Sequence, residues 1–192
     1  MDRPPVFHYD LGSPYAWLAA ERVERVLPVR PVWRPILLGA VFQAVGRGSW
    51  GVTDRREAGM REVERRAAEY GLPPVRWPDP WPPNGLHAMR AATLAERIGC
   101  GRELALAAFR LAFTEGADLG DPEVIRLAAA RASADDADAI VAGIAGQDVK
   151  DELRDNTAAA VELGVIGVPT LAVGERLFWG DDRLEEAAAA CG

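Results

Sequence analysis

Ser13-Pro14-Tyr15-Ala16 has the spacing of a Cys-Pro-x-Cys redox motif, with serine and alanine at the two cysteine positions. In such a motif the positive end of a helix lowers the pKa of the leading thiol. Serine in that place keeps a hydroxyl donor and gives up the redox chemistry. The neighbouring residues fit the geometry. Val6 to Tyr9 reads as a short apolar strand, Asp10-Leu11-Gly12 as a turn, and Pro14 as the opening residue of a helix. Leu18, Ala19, Val23 and Val26 share one apolar face, which predicts a helix from Tyr15 to Val26. Serine before proline is also an ordinary N-cap, and taken alone the cap is the simpler reading.

Other chemistries find less support. Cys100 and Cys191 are far apart and neither belongs to a C-x-x-C pattern, so a self-contained dithiol is not expected. His8 and His87 show no ligand spacing with cysteines or carboxylates, and no metal is expected; structural or surface roles suit both. A net charge of -7 leaves no basic excess to neutralise phosphates, which argues against a nucleic-acid partner. The Arg/Glu alternation from Arg61 to Glu69 reads as a solvated helix face. Met1-Asp2-Arg3-Pro4-Pro5 does not open a signal peptide, and no apolar run reaches the length of a membrane span. A cytoplasmic protein is the expectation.

The 192 residues suffice for one core with an insertion. A second strand is predicted from Val29 to Trp33, parallel to the first because a helix joins them. Helices are predicted over Glu57–Tyr70, Leu86–Arg97, Glu103–Thr114, from Asp121-Pro122 onward, near Ala134–Ala145 and over Val149–Leu163. Leu72 to Pro83, rich in proline and tryptophan, is a proline-stiffened loop. Leu171–Val173 and Arg176–Trp179 form a hairpin around Gly174-Glu175, and Asp181 or Asp182 caps a last helix to Ala190. The order is β-α-β, a block of helices, then α-β-β-α: an α/β, thioredoxin-type fold with an inserted α-helical domain. The expected division is 1–37 with 149–192 for the thioredoxin-like part and 38–148 for the insertion.

Five separated motifs occur in an order that resembles one family. They are Tyr9-Asp10-Leu11-Gly12-Ser13-Pro14-Tyr15-Ala16, Arg34-Pro35-Ile36-Leu37-Leu38-Gly39-Ala40, and Asn84-Gly85-Leu86-His87-Ala88-Met89-Arg90. Asn156-Thr157 with Gly164-Val165-Ile166-Gly167-Val168-Pro169-Thr170 and Leu177-Phe178-Trp179-Gly180-Asp181-Asp182-Arg183 complete the set. The chain resembles 2-hydroxychromene-2-carboxylate isomerases and kappa-class glutathione transferases, of the DsbA-like branch of the thioredoxin superfamily. The resemblance implies that Ser13 is catalytic, its hydroxyl donating to the thiolate of bound glutathione. It implies that Val168-Pro169 is a cis-proline corner whose backbone pairs with the tripeptide, and that Asp181 and Asp182 hold the γ-glutamyl ammonium. Arg47 stands where kappa-class enzymes place a glutathione-binding asparagine, Arg55 and Arg56 lie near a usual lysine, and Asp181 replaces a frequent Ser or Gln. Another low-molecular-weight thiol would use different head-group contacts at these places.

The implied function is a glutathione-dependent isomerase acting on an unsaturated aromatic keto acid, as in aromatic catabolism. A kappa-class transferase acting on an electrophile is the close alternative, and a homodimer is left open. Trp17, Phe42, Trp50, Trp81 and Trp179 are candidate walls for the substrate, with packing in the core the simpler role for most of them. A reading from another class is a redox-inactive DsbA-like protein that binds a peptide or partner at the proline corner.

Overall fold

The computed structural model describes residues 3–191. Four short strands, β1 (Val6–Tyr9), β2 (Val32–Pro35), β3 (Thr170–Val173) and β4 (Arg176–Trp179), form one sheet in the order β2-β1-β3-β4. β1 runs parallel to β2 and antiparallel to β3, and β3 and β4 make the hairpin, with Gly174 in the left-handed region its turn requires. The helices are α1 (Pro14–Ala20), α2 (Val23–Val26), α3 (Leu38–Ala44), α4 (Arg56–Glu69), α5 (Leu86–Ile98), α6 (Gly101–Glu115), α7 (Pro122–Ala132), α8 (Ala137–Gly143), α9 (Gln147–Leu163) and α10 (Leu184–Ala189).

Three expectations are corrected. The first helix is not continuous to Val26: Glu21 ends α1, and the Arg22 N–H donates back to Ala19. The break turns the Arg22 side chain towards the Asp181 carbonyl at 3.1 Å and over the Tyr70 ring. The second strand starts later and runs through Pro35, because the Val32 N–H donates to Pro5 at 2.8 Å and sets the register Val6–Val32 to Tyr9–Pro35. A proline is tolerated there because β2 is an edge strand. Neither Asp181 nor Asp182 caps the last helix. Asp181–Arg183 is a 3-10 turn, and α10 begins after it without a side-chain cap.

The core joins the sheet to the inserted helices. Phe7 and Tyr9 stack, Trp33 meets both edge-on, and Tyr9 meets Phe109 of α6. α5 packs on β2 and α9, and α6 packs on α1, so one buried cluster runs through both parts of the chain. On the Asn156-Thr157 motif, Asn156 accepts from Arg34 at 3.0 Å and Thr157 Oγ1 accepts from the Leu37 N–H at 3.0 Å. Both contacts hold the corner between β2 and α3, which opens beside Ser13.

Candidate functional site

A cavity of about 560 Å³ lies at the ends of β1 and β2, bounded by the turn into α1, α3, the loop before α5 and the turns around β4. Ser13, only 5% exposed, is on its wall and is the N-cap of α1. Its N–H donates to the Asp10 carbonyl at 3.0 Å, and its Oγ accepts from the Ala16 N–H at 3.2 Å. Capping uses the oxygen as an acceptor and leaves the hydroxyl proton to donate elsewhere. Pro14 carries no N–H, and the Tyr15 N–H makes no hydrogen bond among the described residues. The start of α1 therefore offers two donors, Ser13 O–H and Tyr15 N–H, beside the cavity.

Val168-Pro169 is a cis peptide, and both residues line the same cavity. The Val168 N–H and carbonyl make no hydrogen bond among the described residues, so the backbone of this residue is open for pairing. The Gly180 N–H donates to the Pro169 carbonyl at 2.9 Å and locks the turn after β4 beside this corner.

The two aspartates of that turn differ. Asp181 is 1% exposed, and its oxygens accept from Arg66 Nη1 at 2.8 Å and from the Tyr70 hydroxyl at 2.9 Å. Burial raises its pKa against the pull of these two partners, and burial with the Asp181 contact pushes Tyr70 up to about 12. The Asp182 side chain is 57% exposed and stands 3.7 Å from Arg66. Asp181 is thus a buried acceptor engaged at both oxygens that ties α4 to the C-terminal turn, and Asp182 is the more exposed of the two carboxylates. Arg47 is exposed and its guanidinium lies 4.8 Å from the ring centre of Trp179, a residue that lines the cavity; Arg47 itself is not among the lining residues.

Much of the remaining wall is aromatic. Phe42, Trp50, Trp81 and Trp179 line the cavity, whereas Trp17 is buried in the core, stacked on Phe113 at 5.6 Å. Trp50 and Trp81 lie 4.8 Å apart, and the Trp81 indole N–H donates to Gly12 at 3.2 Å. Arg56 donates to the carbonyls of Gly51 and Trp81 and so staples the proline-rich loop to the turn at Trp50.

Asp10 is a site residue that the sequence reading passed over. Its Oδ1 accepts from Gly12 and its Oδ2 from Leu38, both at 2.8 Å. The Asp-x-Gly turn is visible in the sequence, but the bond to α3 is not. His8, on β1, is buried without a hydrogen-bond partner; burial, with Arg34 nearby, holds its pKa down to about 4. His87 is exposed on α5.

The family model for the DsbA-like thioredoxin domain matches residues 6–192, and the chain belongs to that family. Its fold is accordingly a thioredoxin fold with a helical insertion. The chain is 27% identical to 2-hydroxychromene-2-carboxylate isomerase from Sphingobium xenophagum, over 93% of each. It is also 27% identical to glutathione S-transferase kappa 1 from Homo sapiens, over 96% of this chain and 88% of the relative. A solved 2-hydroxychromene-2-carboxylate isomerase superposes with a TM-score of 0.81 at 21% identity, covering 98% of this chain and 94% of the other.

Proposed function

We propose that the protein is a thiol-dependent enzyme of the isomerase or kappa-transferase type, with glutathione as the thiol and Ser13 as the group that stabilises its anion. The observation that carries this reading is Ser13 itself, a residue of the cavity wall whose Oγ accepts from the Ala16 N–H and whose hydroxyl proton has no acceptor among the described residues. The isomerase and transferase relatives support the same class. A bound thiol supplies a nucleophilic sulfur that adds to an unsaturated or electrophilic carbon, and its later loss or retention separates isomerisation from conjugation.

The residues present fit such a ligand. Ser13 O–H and the Tyr15 N–H donate towards one atom and favour its anionic form, since a free thiol with pKa near 8.5 is mostly protonated at neutral pH. The open backbone of Val168 pairs with a peptide-like segment, Asp182 faces an ammonium, and Arg47 meets a carboxylate at the mouth. The aromatic wall excludes water from the reacting carbon and orients a planar substrate. On this reading residues 38–148 are an insertion that supplies the wall, while 1–37 and 149–192 hold the thiol. The cytoplasm, where small thiols are kept reduced, is the fitting compartment; among the described residues no helix is long and apolar enough to cross a membrane. The unsaturated aromatic keto acid remains the proposed substrate of the isomerase form.

Ser13→Ala tests the assignment. Loss of the cap costs about 1 kcal/mol of stability. Loss of a hydrogen bond to a charged group, at about 1.5–3 kcal/mol, lowers thiol-dependent turnover by about 10- to 150-fold. Full activity in a folded Ser13→Ala protein overturns the role of Ser13. Failure of the wild type to bind any thiol in calorimetry would instead favour a protein that docks a peptide at Val168.

A further inference from the structure

Resting on the thiol reading above, we infer that Arg66 selects the head group of the thiol by taking a carboxylate, so that Arg66 and Asp182 together read an α-amino acid zwitterion. Arg66 lies on α4, within the inserted helices, yet reaches the turn after β4 and lines the cavity. Its Nε donates to Glu62 at 2.8 Å and its Nη1 to Asp181 at 2.8 Å. Nη2 makes no hydrogen bond among the described residues, and the side chain retains 21% exposure. The guanidinium is therefore held at Nε and Nη1, and Nη2 is left as a positioned, charged donor for a carboxylate oxygen.

The charges around it decide what kind of ligand fits. Glu62, Asp181 and Asp182 surround one guanidinium, Glu62 being shared with Arg65. From the neighbouring elements, Arg22 meets the Asp181 carbonyl and Glu185, and Tyr70 donates to Asp181. A bare anion enters a corner with a carboxylate excess and is repelled by Asp182. A bare cation approaches Asp182 against the adjacent guanidinium. A ligand that carries both charges a few bonds apart satisfies both, its ammonium on Asp182 and its carboxylate on Nη2. Asp181 takes no part in this contact because its two oxygens are already engaged by Arg66 and Tyr70; its task is to hold Arg66 in place.

The test uses calorimetric titration with three probes: glutathione, the same tripeptide with its γ-glutamyl α-carboxylate converted to the amide, and cysteinylglycine. Wild type is expected to bind glutathione at least tenfold more tightly than the amide. Arg66→Lys keeps a positive charge beside Asp181, with folding checked by a cooperative unfolding transition, but has no free planar nitrogen. In that variant the preference for glutathione over the amide falls to about twofold or less, and binding of cysteinylglycine is unchanged. Equal affinity of wild type for glutathione and its amide overturns the role of Arg66 while leaving the thiol site intact. So does a tenfold preference retained in Arg66→Lys. Absence of binding of all three probes to wild type overturns the thiol reading itself, and this inference with it.

Discussion

The two sides of the cavity are built by different means. The side that carries Ser13, Val168 and Asp182 comes from turns: a helix N-cap, a cis-proline corner and a 3-10 turn, each only a few residues long. Its polar atoms are fixed by local backbone bonds such as Ser13 N–H to Asp10 and Gly180 N–H to Pro169. The aromatic side is assembled from the side chains of Phe42, Trp50 and Trp81, with Trp50 packed on Trp81 and their segments held together by Arg56. Turn chemistry gives the first side a nearly fixed constellation. Packing gives the second a shape that changes with any residue beneath it. On the proposed reading, anion handling falls to the turn-built side and substrate fit to the packed one.

Asp10 is where the two sides meet, and its loss should have the largest effect. One of its oxygens holds Gly12 in the Ser13 turn and the other holds Leu38 at the start of α3. Asp10→Ala leaves two N–H donors without their acceptors, at about 1–3 kcal/mol each. A loss of about 2–6 kcal/mol is expected in urea denaturation. Burial raises the Asp10 pKa, with the Leu38 and Gly12 amides pulling against it. The folded state then retains a proton at pH values where the unfolded chain has released it, so this group's contribution declines as pH rises from the ordinary carboxylate value through the raised one. The stability gap between wild type and Asp10→Ala should narrow over that window; a gap that widens would show that the buried carboxylate favours its charged form.

How legible each side was in the sequence follows from the same difference. The strand, turn and helix start around Ser13 are encoded by Asp10, Gly12 and Pro14 within five residues, and the structure has them where the pattern put them. The hairpin at Gly174 and the stop at Gly164 were equally local. The break after Ala20 was not, because an apolar face continues through it and Arg22 is turned by partners about 160 residues away. The aspartate pair was visible as a pair, but its division into an Asp181 engaged at both oxygens and a more exposed Asp182 depends on Arg66 and Tyr70 of α4. Of the five aromatics read as walls, Trp17 belongs to the core, and nothing in its own neighbours separates it from Trp50.

Gly59→Ala probes the aromatic side alone. A Cβ at Gly59 would run into the six-membered ring of the Trp50 indole, so the indole has to move. Overpacking of this kind costs about 1–3 kcal/mol, offset by about 1 kcal/mol from the better helix propensity of alanine. A net loss of about 0–2 kcal/mol is expected, together with a several-fold rise in KM for an aromatic substrate. Thiol affinity measured by calorimetry should stay at the wild-type value. An equal weakening of thiol and aromatic substrate would mean that the two sides are mechanically coupled and that the contrast drawn between them fails.

The smallest effect belongs to Arg47, which stands between the two sides. Its guanidinium lies over Trp179, whose ring lines the cavity, yet the side chain itself is exposed. A cation–π contact at an exposed site is worth about 0.5–1 kcal/mol, so Arg47→Gln should shift stability by no more than about that amount. If Arg47 meets a ligand carboxylate at the mouth, the substitution weakens glutathione a few-fold at low ionic strength. Exposed charges are screened, so that difference should fade as salt is raised to about 1 M, where the Debye length is about 3 Å. The contact made by Arg66 is partly buried and should keep most of its effect under the same conditions. Salt titration of the two variants therefore separates an outer, steering cation from an inner, selecting one. An Arg47→Gln defect that persists undiminished at high salt would place Arg47 inside the rigid polar side, with a direct and desolvated ligand contact.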